Sequence, residues 1–267
     1  MTKRRSLLRA ALAGTVAAAA APGGFIASRA FAQAWPVRPI KLIVPFAPGG
    51  STDILGRLLA QRLTGALKQA VVVENRPGAG AMVGADAAAK SAPDGYTLLM
   101  SNNASHSIGP QMMANPPYQP LEDFAHIALL GTFPNLFIVR ADHPAQTFDE
   151  WLALARAKPG ALNFASAGVG SAGFLTGELL KRRAGVDIVH IPYKGTGPAN
   201  LDLLGGQLDA VLDGPVAAGP HLKSGRTRAL AVTSEKRIRQ YPDVPSLDEF
   251  VPGATGEAWF EIGRAHV

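Results

Sequence analysis

The chain is organised around one stretch, residues 44–57, which reads VPFAPGGSTDILGR. Apolar residues at 40–44 predict a short buried strand, and leucines at helical spacing predict a helix over residues 52–66. Between them lies a Pro-Gly-Gly turn, with Ser51 and Thr52 as candidate helix N-caps. Such a corner gathers free backbone N–H groups at the positive end of a helix dipole. It is either an anion-binding site that needs no basic side chain or an ordinary, well-capped βα loop.

Composition limits the classes of function. The chain of 267 residues has no cysteine, which excludes a disulfide framework and a cysteine-ligated metal site. Its six histidines form no close pair at the spacing of a zinc site, so no metal is predicted. Five of the 26 basic residues lie in the first 32 positions, which leaves 21 basic against 20 acidic residues in the rest. The near-neutral remainder has no basic stripe for binding nucleic acid.

The first 34 residues are predicted to be a signal peptide. Lys3, Arg4 and Arg5 precede an alanine-rich run over residues 10–21, which is too short to span a membrane. A-x-A patterns allow cleavage after position 32 or 34. The opening RRSLLR also resembles a twin-arginine signal, and an ordinary export signal is the alternative. We therefore expect a periplasmic protein.

Strand and helix patterns alternate along the mature chain. The predicted strands are 40–44, 71–74, 97–100, 124–130, 137–139, 162–166, 188–191, 208–212 and 228–233. The predicted helices are 52–66, 82–90, 148–158, 171–184, 198–204 and 215–223. This alternation predicts an α/β fold with parallel sheets. Glycine-rich turns follow three of the strands, at the carboxyl ends where open α/β sheets bind ligands.

A second glycine motif supports a different function. Residues 168–173 read GVGSAG, the fingerprint of dinucleotide sites, and Asp187 follows at the distance of a ribose-binding acid. Asp187, however, precedes its strand instead of ending it. Ser171 is not a nucleophile elbow, because Val169 stands where that motif needs glycine. An exported nicotinamide- or flavin-dependent oxidoreductase using the Gly168 turn remains the alternative to a non-enzymatic protein without cofactor.

Several short motifs together resemble the Bug receptors, the solute-binding proteins of the tripartite tricarboxylate transporter family. They are WPVRPI (35–40), VPFAPGG (44–50) with Asp53, VENRPGAG (73–80), PDGYTLL (93–99), NFAS (163–166) with Gly168, Gly170 and Ser171, VHIPYKG (189–195), LGGQLD (204–209) and RALAVT (228–233). The resemblance covers about residues 35–260. It implies an α/β, periplasmic-binding-protein type II fold, with a ligand cleft between two α/β domains.

The resemblance also implies a function. Family members hold a small ligand, usually a carboxylate, largely through backbone N–H groups and ordered waters. We therefore expect a monomeric receptor that captures a small carboxylate and passes it to the membrane permease subunits of a transporter. A lone receptor that feeds a sensor is the alternative. Phe174 stands near a position where many members have histidine, which implies a more apolar or aromatic ligand.

Ligand-binding residues are carried over from the family position by position. The first-domain loop gives Pro48, Gly49, Gly50, Ser51, Thr52 and Asp53. The second-domain loop gives Ala167, Gly168 and Ser171, and strand ends facing the cleft give Asn102, Thr132, Thr196 and Asp213.

The expected domain order begins with the signal peptide, residues 1–34. Residues 35–139 form the N-terminal part of domain 1, and residues 140–233 form domain 2. Residues 234–260 are a return crossing into domain 1. In the family the chain continues into further elements after this point. Residues 261–267 show no strand or helix pattern and look like translated adapter sequence, so we expect a truncated return and a non-native tail.

Overall fold

The computed structural model describes residues 35–266, which form ten strands and six α-helices. The strands are β1 (Ile40–Val44), β2 (Val71–Asn75), β3 (Thr97–Asn102), β4 (Phe124–Pro134), β5 (Leu136–Arg140), β6 (Asn163–Ser166), β7 (Val189–Pro192), β8 (Ala210–Asp213), β9 (Thr227–Val232) and β10 (Glu257–Ala265). The α-helices are α1 (Ser51–Leu67), α2 (Met82–Ala89), α3 (Phe148–Ala157), α4 (Ala172–Ala184), α5 (Thr196–Leu204) and α6 (Pro215–Lys223). The predicted signal peptide, residues 1–34, lies outside the described residues.

The first domain is built on a sheet with strand order β2-β1-β3-β10-β4. Strand β1 pairs in parallel with β2 and β3, and β10 pairs antiparallel with β3 and β4. Side chains of β1 alternate between two helices, because successive residues of a strand point to opposite faces. Leu42 and Val44 belong to the apolar cluster under α1, whereas Ile43 belongs to the cluster with Met82 and Ala85 of α2. Burial on both faces explains why β1 is almost entirely apolar.

The second domain is built on a sheet with strand order β7-β6-β8-β5-β9. Strand β6 pairs in parallel with β7 and β8, and β5 pairs antiparallel with β8 and β9. Its core is aromatic: Trp151 and Phe148 of α3 pack against Phe137 of β5, and all three side chains are fully buried. The parallel sheets expected from the sequence are therefore mixed sheets. Strand β5 lies antiparallel between β8 and β9, and β10 lies antiparallel between β3 and β4.

Two segments cross between the sheets, and one threonine joins them. The chain leaves the first sheet at Asn135 and returns through the segment that ends at Gly256. Thr233 Oγ1 accepts a hydrogen bond from Asn135 N at 2.8 Å and donates one to Gly256 O at 2.6 Å. The backbone of Thr233 pairs with the same two residues, and its side chain is fully buried. Both crossings are thus held at a single residue.

Two of the predicted boundaries are wrong. The second sheet already includes β5, so the second domain begins at Leu136 instead of residue 140. Residues 261–265, for which no strand was expected, form the second half of β10. That strand lies between β3 and β4, and its backbone pairs on both sides while Ile262 and Ala265 are buried. No helix within residues 35–266 is long and apolar enough to cross a membrane.

Candidate ligand site

The candidate site is a cavity of about 40 Å³ between the two domains. The domains touch on either side of it, since Ser51 Oγ donates to Asp213 Oδ1 at 3.1 Å and Ala47 N donates to Lys194 O at 2.7 Å, so they are in their closed arrangement. The first domain and the crossing contribute Ser51, Thr52, Asn102, Asn103, Ala104, Phe133, Asn135, Ala258 and Phe260. The second domain contributes Ala167, Ser171, Ala172, Gly173, Thr196, Leu212, Asp213 and Gly214.

Four helices begin at this cavity. Helix α4 is capped by Ser171, whose Oγ accepts a hydrogen bond from Phe174 N at 3.2 Å. Helices α1, α5 and α6 begin there without a side-chain cap. Their first N–H groups and the positive ends of their dipoles therefore face the cavity. Among the residues that line it, none is Lys, Arg or His. The attraction for an anion comes from the backbone.

The first-domain loop is shaped by Asp53, which is 3% exposed. Its carboxylate accepts hydrogen bonds from Gly49 N at 3.0 Å, Arg57 Nε at 3.0 Å and Asn75 Nδ2 at 2.8 Å. Asn75 Nδ2 also donates to Phe46 O at 2.9 Å. Burial raises the pKa of Asp53, but these hydrogen bonds outweigh it and hold the pKa below its ordinary value. Asp53 therefore fixes the turn and does not line the cavity.

The second-domain loop is shaped by Ser166 and His190. Gly168 has φ +126°, a conformation that favours glycine, and its N–H donates to Ser166 Oγ at 3.2 Å. The Ser166 hydroxyl lies 2.8 Å from His190 Nε2. Burial lowers the pKa of His190 to about 4, so the ring is neutral near neutral pH and shares a hydrogen bond with the serine hydroxyl, which also lies 3.3 Å from Gly168 O. Phe174 packs on His190 at 5.0 Å and does not line the cavity, so the apolar ligand inferred from it loses its basis.

Acid should release this second-domain loop. His190 has a folded-state pKa of about 4 and an ordinary pKa of 6.5, so protons favour the unfolded chain as pH falls through that window. We expect part of the free energy of unfolding to be lost between about pH 6.5 and pH 4. The variant His190→Gln keeps an acceptor for Ser166 and cannot titrate. Urea unfolding at several pH values should show that this variant loses less unfolding free energy on acidification than wild type. If the free energies of both proteins fall in parallel with pH, His190 is not the group responsible.

The structure brings seven of the predicted ligand residues together and separates the others. The cavity is lined by Ser51, Thr52, Asn102, Ala167, Ser171, Thr196 and Asp213. Pro48, Gly49 and Gly50 instead touch the start of α5: Gly49 lies against Gly197, and a Cβ on Gly50 would lie 2.6 Å from Thr196 Oγ1. Gly168 lines a neighbouring hollow of about 460 Å³ with Met112, Met113 and Lys194.

Thr132, a predicted ligand residue, does not line the cavity. It is exposed on β4 and lines a separate apolar hollow of about 380 Å³ with Leu55, Leu58 and Arg62. Sequence reasoning in turn missed Asn103 and Asn135, which do line the cavity. Asn135 and Thr132 are the two polar residues between the predicted strands 124–130 and 137–139, and nothing in the sequence favoured Asn135 over Thr132. Within residues 35–266, no group of three His, Cys, Asp or Glu side chains could hold a metal ion.

Residues 55–263 match the family model described as the tripartite tricarboxylate transporter family receptor. The chain belongs to this receptor family. It is 42% identical over 239 residues to the protein BugT of Bordetella pertussis, a match that covers 89% of this chain and 73% of BugT. The family prediction made from the short motifs is confirmed.

Solved structures of related proteins have the same fold as this chain. Rpa4515 of R. palustris, solved with adipate, is 35% identical with a TM-score of 0.84, and the match covers 87% of this chain and 78% of that chain. MatC of Rhodopseudomonas palustris, solved with bound malate, is 35% identical with a TM-score of 0.81, covering 86% and 79%. Periplasmic binding proteins share this two-domain α/β fold, which confirms the predicted fold class. As a member of this family, the chain is a solute-binding receptor, and two of its relatives were solved with carboxylates bound.

Proposed function

We propose that this receptor captures a small dicarboxylate in the interdomain cavity and delivers it to the membrane permease subunits of a tripartite tricarboxylate-type transporter. One observation carries the proposal. The starts of α1, α5 and α6, whose glycine N-cap residues have no side chain to bond their N–H groups, converge on a closed cavity that has no cationic side chain in its lining. Backbone N–H groups at helix starts bind carboxylates well. The adipate and malate in the two R. palustris relatives support the same ligand class.

The placement of the helix starts favours a ligand with two anionic ends. Helix α1 belongs to the first domain, whereas α4, α5 and α6 belong to the second. A dicarboxylate can place one carboxylate at each side and so bridge the domains. Because the closed cavity is small, the ligand enters while the domains are apart and is enclosed when they meet. We propose that binding and closure are one event, without turnover or cofactor, in a periplasmic monomer.

A ligand screen tests this proposal. Melting of the purified protein should rise when adipate or malate is added, by roughly 5–10 °C at 100 times the dissociation constant, since such a ligand adds about 2.7 kcal/mol. Adipamide has the shape of adipate without its charges and serves as the matched neutral control. A melting temperature that neither acid changes but that rises with NAD would favour the exported oxidoreductase using the Gly168 turn and overturn the receptor proposal.

A further inference from the structure

We propose that Asp213 is a positioning residue, which holds the helix starts of both domains against the ligand and does not itself contact the ligand. The inference rests on the function proposed above and names which residue assembles the site. It differs from the expectation drawn from the family resemblance, in which Asp213 is a ligand contact at a strand end.

The carboxylate of Asp213 is already filled with hydrogen bonds. It is 1% exposed. Its Oδ1 accepts from Gly214 N at 2.7 Å and from Ser51 Oγ at 3.1 Å. Its Oδ2 accepts from Asn200 Nδ2 at 2.7 Å, and the Thr196 hydroxyl adds a further hydrogen bond. A carboxylate has about four acceptor positions, so these donors leave little capacity for a ligand.

Three of the four donors belong to different helix starts, and the fourth, Asn200, lies within α5. Ser51 is the first residue of α1, Thr196 is the first residue of α5, and Gly214 is the N-cap of α6. These are the same three helices that begin at the cavity without a side-chain cap. One buried carboxylate therefore ties together the groups that the ligand uses, and one of them comes from the opposite domain.

The Ser51 hydroxyl is occupied by contacts with the opposite domain. Besides Asp213, its Oγ lies 3.2 Å from Gly214 O and accepts from Ala217 N at 3.4 Å. Every one of these contacts crosses between the domains. The hydroxyl of Ser51 therefore closes the cleft, and the N–H groups of its helix remain to face the ligand.

The charge of Asp213 works against an anionic ligand. Burial raises the pKa of Asp213, against the lowering effect of its hydrogen bonds, because the charged form is disfavoured away from water. When ionised, the carboxylate repels an anionic ligand, and no cation in the lining compensates for it. Its benefit to binding must therefore come from the hydrogen bonds and the geometry they impose. The charge of Asp213 and its hydrogen bonds therefore have opposite effects on binding, and different substitutions can remove each of them.

Asp213→Asn removes the charge and can keep the hydrogen bonds. Asn200 Oδ1 is buried without a hydrogen-bond partner. Reversal of the Asn200 amide would therefore present an acceptor to the new amide donor at position 213. Asp213→Ala removes both the charge and the hydrogen bonds, and Ser51→Ala removes only the contact between domains. Asp149→Asn, at an exposed position on α3, is the matched control for the change of charge.

The first measurement needs no ligand. The chain has no cysteine, so Gln61→Cys on α1 and Lys223→Cys on α6 can be spin-labelled specifically. Both positions are exposed, and their helices meet across the cleft. We expect Asp213→Ala and Ser51→Ala to widen the distance distribution between the labels, whereas Asp213→Asn and Asp149→Asn leave it unchanged. A distribution that Asp213→Ala leaves unchanged would overturn the proposal.

The second measurement uses adipate and malate as probes in calorimetry. Affinity should fall about tenfold or more in Asp213→Ala and Ser51→Ala, the equivalent of one lost interdomain hydrogen bond. Asp213→Asn should bind at least as tightly as wild type. Weak binding by Asp213→Asn with unchanged label distances would make Asp213 a ligand contact and refute the proposal. If wild type binds neither acid, the proposed function fails, and the label distances still decide the role of Asp213.

Discussion

Replacing Gly50 with valine should keep the domains apart and weaken carboxylate binding by about 100-fold, because only the closed arrangement is competent to hold the ligand. A Cβ at this position would lie 2.6 Å from Thr196 Oγ1 and 3.1 Å from the backbone N atoms of Thr196 and Gly197. The obstruction lies between the domains and not within one. Gly50 has φ −87° and ψ 170°, which any residue adopts, so each domain should fold normally.

Calorimetry with a carboxylate that binds the wild-type protein measures this loss, and small-angle scattering reports the opening. Gly65→Ala is the matched control, since a Cβ there meets nothing within 4 Å. In the helix interior that substitution should be neutral or slightly stabilising. Wild-type affinity in Gly50→Val would mean that the domains need not approach as closely as the structure places them.

Replacing Asp53 with alanine should cost about 3 kcal/mol of unfolding free energy and abolish binding through loss of the first-domain turn. The substitution removes three hydrogen bonds to a buried, charged carboxylate, from Gly49 N, Asn75 Nδ2 and Arg57 Nε, and bonds to charged groups contribute more than neutral ones. Urea unfolding measures the stability, and hydrogen exchange of residues 45–50 reports the turn. The pKa of Asp53 is lowered in the folded state, so its contribution is present at neutral pH and lost on acidification.

Asp94→Ala provides the comparison for this second substitution. Asp94 forms an exposed ion pair with Arg38 at 2.9 Å, and such pairs contribute at most about 1 kcal/mol. A loss in Asp53→Ala no larger than in Asp94→Ala would show that the turn holds its shape without the carboxylate. Binding retained in the destabilised variant would place the ligand away from this loop.

Local chemistry explains why much of the fold was predictable. The strand over residues 40–44, the turn that follows and the helix after it depend on apolar spacing and on glycine, all of which act within a few residues. Helix α6 was predicted with its exact bounds because Pro215 suits a first helical position. The same reasoning placed Ser51 beside the start of α1, but it began the helix that corresponds to α5 at residue 198, two residues after Thr196, where α5 starts.

The remaining errors concern contacts between distant segments. Strands β4 and β5 are separated only by Asn135, and periodicity does not reveal that they belong to different sheets. Strand β10 depends on pairing with β3 and β4, which are more than 100 residues away, so residues 261–265 show little pattern of their own. The family resemblance brought Asp213 to the cleft. Only the coordinates of its four donors reveal that its oxygens are occupied.

The buried threonine at the crossings limits how the molecule can move. Because Thr233 bonds to both Asn135 and Gly256, the two connections cannot flex independently, and they act as one pivot. We expect a single pivot to favour rotation of the halves over sliding of one half past the other. Asn135 lies at this junction and also lines the candidate cavity. A solute held in the proposed cavity would therefore lie beside the pivot.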